Sequence, residues 1–176
     1  MNFLRSACLT LRQILAVVAC FGLIVTGAAG SDELHAVTAE GHTELTLVRP
    51  SGSAVRVVLS QTKLGDSYPY KDALLWGGDV GELPRTVLIS IQVKDGDEII
   101  FVPLSAYGDL GDVKWVSLDR TAKGYVLHLH GGDTAASYDA ALTFDRGYLV
   151  SRTVALREFR EQRWEKTSYS FPKRSQ

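Results

Sequence analysis

Two histidines, His128 and His130, stand two residues apart. On a β-strand, residues i and i+2 share a face, so both imidazoles can approach one ion. A zinc or copper site needs at least a third protein ligand. His35, His42 and Asp133 are the obvious recruits. The simpler expectation is two imidazoles on the solvent face of a half-buried strand, because Tyr125, Leu127 and Leu129 supply the opposite, apolar face. Asp109-Leu110-Gly111-Asp112, followed by Asp119, offers the oxygen donors calcium prefers. It lacks the Asp, Asp/Asn, Gly and final Glu spacing of an EF-hand, and Asp and Gly are also what a chain reversal demands.

Asp66, Asp72, Asp79 and Glu82 gather between residues 66 and 82. Glycoside hydrolysis needs two carboxyl groups at a set separation, which sequence spacing does not supply. No G-x-S-x-G nucleophile elbow occurs, and Gly77-Gly78-Asp79-Val80-Gly81 lacks the following Lys-Ser/Thr of a phosphate-cradling loop. Tyr68, Tyr70 and Trp76 can stack on a ligand or plug one end of the fold. Trp115 and Trp164 read as core or cover residues. The sequence thus assigns no catalytic residue, no metal ligand and no cofactor.

The elements that must carry these residues have a period of two. Val87, Ile89, Ile91 and Val93 alternate with Leu88, Ser90, Gln92 and Lys94. Tyr125, Leu127 and Leu129 alternate with Val126, His128 and His130, and Tyr138, Ala140, Leu142 and Phe144 with Asp139, Ala141 and Thr143. Each set predicts a strand with one apolar face inward. Weaker strands are expected at Glu44–Val48, Val55–Ser60, Glu98–Leu104, Val113–Leu118 and Leu149–Leu156. Turns fall at Pro50–Gly52, Asp95-Gly96, Gly108–Asp112, Asp119–Gly124, Gly131–Asp133 and Asp145–Gly147. This rhythm predicts an all-β fold, an antiparallel meander forming a β-sandwich or partly open barrel. Gln61–Pro84, rich in Gly and Pro, reads as a long loop with one possible helical turn at Lys71–Trp76. Ala155–Lys166 reads as a hairpin turning near Arg160–Gln162, with a C-terminal helix as the competing assignment.

Residues 1–30 have a different character. Arg5 and Arg12 precede the apolar run Ile14–Val25, and Thr26–Gly30 is small. That order is expected of a signal peptide over 1–30, followed by a single all-β domain over 31–176. Val17-Val18-Ala19-Cys20 resembles the box before a lipidated cysteine, but Phe21–Val25 continues apolar where a polar tether would follow. Lipoprotein anchoring at Cys20 is therefore the less favoured alternative. Cys8 and Cys20 are the only cysteines, so the chain from Ser31 onward has neither a disulfide nor a thiolate.

Of 176 residues, 45% are hydrophobic and 22% charged, which excludes disorder and coiled coil. Nineteen basic against 20 acidic residues exclude a polybasic nucleic-acid arm. The balance is uneven: Ser31–Asp145 carries net −8 and Arg146–Gln176 net +5. A basic tail can meet an anionic surface or fold back onto the acidic body, and the interspersed signs favour the second. The resulting expectation is a periplasmic or secreted binding module without nucleic-acid partners or a membrane span after leader removal. Its partner would be a protein or envelope component, met through Gln61–Pro84 or the basic tail. The alternatives are an envelope hydrolase using His128 and His130 or loop carboxylates, and a structural accessory of an envelope assembly.

Overall fold

The computed structural model describes residues 33–65, 83–133 and 137–171. Residues 1–32, with Cys8 and Cys20 and the expected signal peptide, lie outside the described residues. So do Asp66, Tyr68, Tyr70, Asp72, Trp76, Asp79, Glu82, the Gly77–Gly81 run and the possible helical turn at Lys71–Trp76. Among the described residues are ten strands: β1 (His35–Ala36), β2 (Gly41–Val48), β3 (Ala54–Lys63), β4 (Thr86–Asp95), β5 (Glu98–Ile100), β6 (Trp115–Arg120), β7 (Gly124–Gly131), β8 (Tyr138–Asp145), β9 (Tyr148–Leu156) and β10 (Arg163–Ser168). They form a four-stranded sheet ordered β2-β3-β4-β5 and a six-stranded sheet ordered β1-β6-β7-β8-β9-β10. All pairings are antiparallel. Neither sheet closes, so of the two expected forms the β-sandwich is the one present. No helix among the described residues is long and apolar enough to cross a membrane.

One buried cluster joins the two sheets. Leu45, Val55, Val57, Leu59 and Val93 enter it from one side; Val116, Leu127, Leu129, Tyr138, Leu142 and Phe144 enter from the other. Tyr125 and Phe144, direct cross-strand partners, stack with centroids 4.8 Å apart. Tyr138 lies over Gly131, its partner on β7, and its hydroxyl donates to the Gly111 carbonyl at 2.7 Å. A Cβ at Gly131 would meet the Tyr138 hydroxyl oxygen at 2.4 Å and the ring at 2.5 Å, so the glycine is what admits the aromatic side chain. The β8–β9 turn has positive φ at both Arg146 and Gly147, the primed-turn geometry that matches strand twist.

Three bulges correct the simple alternation. Ser60 pairs Ser90 and Gln61 pairs Leu88, so Ile89 is an extra residue on β4. The phase shifts there: Ile91 and Val93 point inward as expected, but Leu88 is buried and Ile89 is 55% exposed. Thr143 pairs Ser151 and Phe144 pairs Leu149, making Val150 the extra residue on β9. Beyond it Arg152, not Ser151, is buried. Trp164 is the extra residue on β10; its side chain lies outside the described residues.

Other boundaries also move. Gln61–Lys63 extend β3 rather than opening the long loop. The strand expected over Glu98–Leu104 ends at Ile100, and a 3-10 turn forms at Leu104–Ala106, because Pro103 brings no N–H to a ladder. The expected Ala155–Lys166 hairpin is present, reversing between β9 and β10.

Candidate functional site

The outer face of the six-stranded sheet carries the described side chains best placed for chemistry. Trp115 on β6 pairs His130 on β7, His130 pairs Asp139 on β8, and Asp139 pairs Ala155 on β9. These four form one row across the sheet. Directly paired residues on one face have Cβ atoms about 5 Å apart, so the row is continuous. Ala155 adds only a methyl group at its end. The chain then turns, and the Arg157 amide donates to the Ser137 carbonyl at 2.9 Å, fixing the turn beside the start of β8.

Asp139 is the hub of this row. His130 Nδ1 stands 2.5 Å from its Oδ1. A carboxylate only accepts, so Nδ1 carries the hydrogen, leaving Nε2 with no protein partner among the described residues. Arg157 Nε lies 3.2 Å from Asp139 Oδ1 and Arg160 Nε 2.8 Å from Oδ2. Burial pushes the Asp139 carboxyl up. The His130 hydrogen bond and charge, the Arg157 hydrogen bond and the Arg160 charge outweigh it, holding the group below its ordinary value. It is therefore a firmly ionised anchor at neutral pH.

Leu34, Trp115, His130, Arg157 and Arg160 line a pocket of about 340 Å³. Leu34 is 54% and Trp115 45% exposed, so an apolar wall faces two guanidinium groups. Its volume sits at the lower end of the range for small-molecule sites. Trp115, expected from its sequence context to be a core or cover residue, instead stands exposed on the outer face. An odd-numbered tryptophan at the first position of β6 pairs an outward histidine, a register that sequence alternation within one strand does not reveal.

His128, two residues before His130, shares its face, with Nε2 3.3 Å from Asp119 Oδ2. Burial lowers its imidazole below the ordinary value, Asp119 opposes, and His130 adds to the lowering. The two histidines face outward as expected, but each leans on a different carboxylate. The suggested third ligands stand elsewhere: His42 is bonded to Ser60 at 2.8 Å on the other sheet, Asp133 is paired with Lys114, and His35 lies on β1. Among the described residues no three His, Cys, Asp or Glu side chains gather to hold a metal ion.

The acidic turn also disperses. Asp109 receives both terminal nitrogens of Arg152, at 2.7 and 2.6 Å. Asp112, at φ 48°, accepts from the Arg85 and Thr86 amides and the Thr86 hydroxyl. Asp119 belongs to β6. These are separate structural duties rather than one oxygen cage. The basic tail folds back onto the acidic body through Arg152–Asp109, Arg157–Asp139 and Arg160–Asp139. Asp139 is the site residue sequence reasoning passed over; its only signal was a charge alternating outward opposite the two histidines. Comparison of the chain with protein-family models, curated proteins and solved structures gives no match, so function rests on the site's own geometry.

Proposed function

We propose that this chain is an exported binding module whose ligand sits on the outer face of the six-stranded sheet, in the pocket of Leu34, Trp115, His130, Arg157 and Arg160. The carrying observation is the meeting, in one recess, of an exposed indole with two guanidiniums and an imidazole fixed by a shared carboxylate. Pockets that bind small molecules join apolar walls to a few convergent polar groups. The rigid sheet presets those groups, which lowers the ordering cost of binding. Export is supported by the order of arginines, apolar run and small residues over 1–30.

A panel of small neutral, cationic and anionic fragments, followed by amide and indole NMR shifts, tests the site. Hits should converge on Trp115, His130 and the 157–160 turn. Hits gathering on the four-stranded sheet, or unchanged in a Trp115→Ala/His130→Ala variant, would refute it. For export, mass spectrometry of protein secreted from an expressing bacterium should show loss of about the first 28–30 residues; an intact N-terminus on cytosolic protein argues against it.

A further inference from the structure

We infer that this pocket takes a small oxyanion carried on a flat ring, a carboxylate or phosphate monoester of an aromatic body; the inference rests on the binding reading above and names its ligand class.

Arg157 and Arg160 both meet Asp139 through Nε. The Arg157 Nε–H donates to Asp139, which sets the plane of that guanidinium, whereas Arg160 is held beside it as an ion pair; the terminal nitrogens of both make no hydrogen bond to the protein among the described residues. Two such forks on one short turn suit the oxygens of a carboxylate or phosphate, which accept paired N–H bonds. Asp139 already receives His130, Arg157 and Arg160, so its oxygens are occupied by the protein. Two guanidiniums against one carboxylate leave the recess positive. A cationic ligand would face that surplus, and a neutral one would leave both forks on water.

The other wall is apolar. Trp115 and Leu34 stand on the β1–β6 side of the row, and the arginines on the β9–β10 side. Two strand spacings, about 10 Å, separate the strand of Trp115 from that of Asp139. One ring and one oxyanion span such a gap, with the ring against the indole and the charge at the forks. The pocket volume, about 340 Å³, leaves room for a ligand of this size rather than an extended chain.

The test uses phenyl phosphate and benzoate as probes, with inorganic phosphate and phenol as the two halves of the ligand, in low-salt buffer and read by NMR titration. Phenyl phosphate or benzoate should move the Trp115 indole N–H and the 157–160 amides together. The better of the two should bind at least about tenfold tighter than either half. Arg157→Gln/Arg160→Gln should weaken it at least about tenfold with unchanged circular dichroism, and Arg157→Lys/Arg160→Lys should restore only part, since charge returns without the fork. Phenol binding the pocket as tightly as phenyl phosphate would overturn the oxyanion class while leaving the pocket standing. Inorganic phosphate matching phenyl phosphate would overturn the ring. Shifts centred away from the pocket, or no saturable binding of any probe below about 10 mM, would overturn the site and the ligand class together.

Discussion

Replacing Arg152 with alanine should cost about 3 kcal/mol of folding stability. Its side chain is 3% exposed, on the inner face of β9. One terminal nitrogen donates to the Ser105 carbonyl at 2.9 Å and to Asp109 Oδ1 at 2.7 Å; the other donates to Asp109 Oδ2 at 2.6 Å and lies 3.3 Å from Glu165. Removing one partner of a buried pair typically costs about 3–5 kcal/mol, since the remaining charge stays desolvated. Asp109 is 29% and Glu165 40% exposed, so both can recover water, which places the cost at the lower end. With a urea slope of about 1.5 kcal/mol/M the midpoint should fall by about 2 M. Arg152→Met combined with Asp109→Leu removes both charges and should be less damaging than the single alanine change, because apolar replacement of a buried pair is often neutral. A loss under about 1 kcal/mol for Arg152→Ala would refute the view that this pair fastens the Ser105–Asp109 crossover to the six-stranded sheet.

Asp139→Asn should cost about 1–2 kcal/mol at neutral pH by weakening three charged contacts. Because the Asp139 carboxyl sits below its ordinary value, its contribution is full above about pH 4 and is lost as pH falls through the lower folded value; as the pH is taken below about 4, urea midpoints should decline less in the variant. Burial lowers His128, so the unfolded chain takes its proton first and acidification below about pH 6.5 favours unfolding; a histidine NMR titration with the His128 midpoint at or above 6.5 would contradict this. Gly124→Ala places a Cβ 2.1 Å from the Phe144 carbonyl oxygen and should destabilise by more than about 3 kcal/mol, while Gly52→Ala, at φ 85° in open space, should cost about 1 kcal/mol; comparable thermal midpoints for the two would be a failure.

Alternation made β7 and β8 legible residue by residue, because no bulge interrupts their mutual pairing. On β4 and β9 it was legible only on one side of an extra residue. Ile89 and Val150 carry nothing in their chemistry that marks them as bulged; they are ordinary β-branched strand residues, and the bulge arises from how a neighbouring strand pairs. That is why Ile89 was expected inward and why nothing pointed to a buried Arg152. The site was legible in its histidines and not in its architecture. His130 was visible as an outward imidazole, but its partners come from β6, β8 and the β9–β10 turn, and cross-strand register is a property of the folded sheet.

The bulge at Val150 also decides the role of Arg152. A strand that kept strict alternation from Leu149 would direct Ser151 inward and Arg152 outward, adding a third guanidinium to the outer face. The extra residue turns Arg152 into the core, where Asp109 and Glu165 neutralise it. Arg157 and Arg160 come after β9 has ended, and they reach Asp139 from the turn through one nitrogen each. The net +5 of Arg146–Gln176 is therefore not a uniform basic surface. Part of it is buried as a fastener, and part is held, oriented and incompletely used at the rim of a recess with an indole on its other side. A one-residue shift in strand phase thus turns Arg152 from the outer face into the core, while Arg157 and Arg160, beyond the strand, remain beside Asp139 on the outer face.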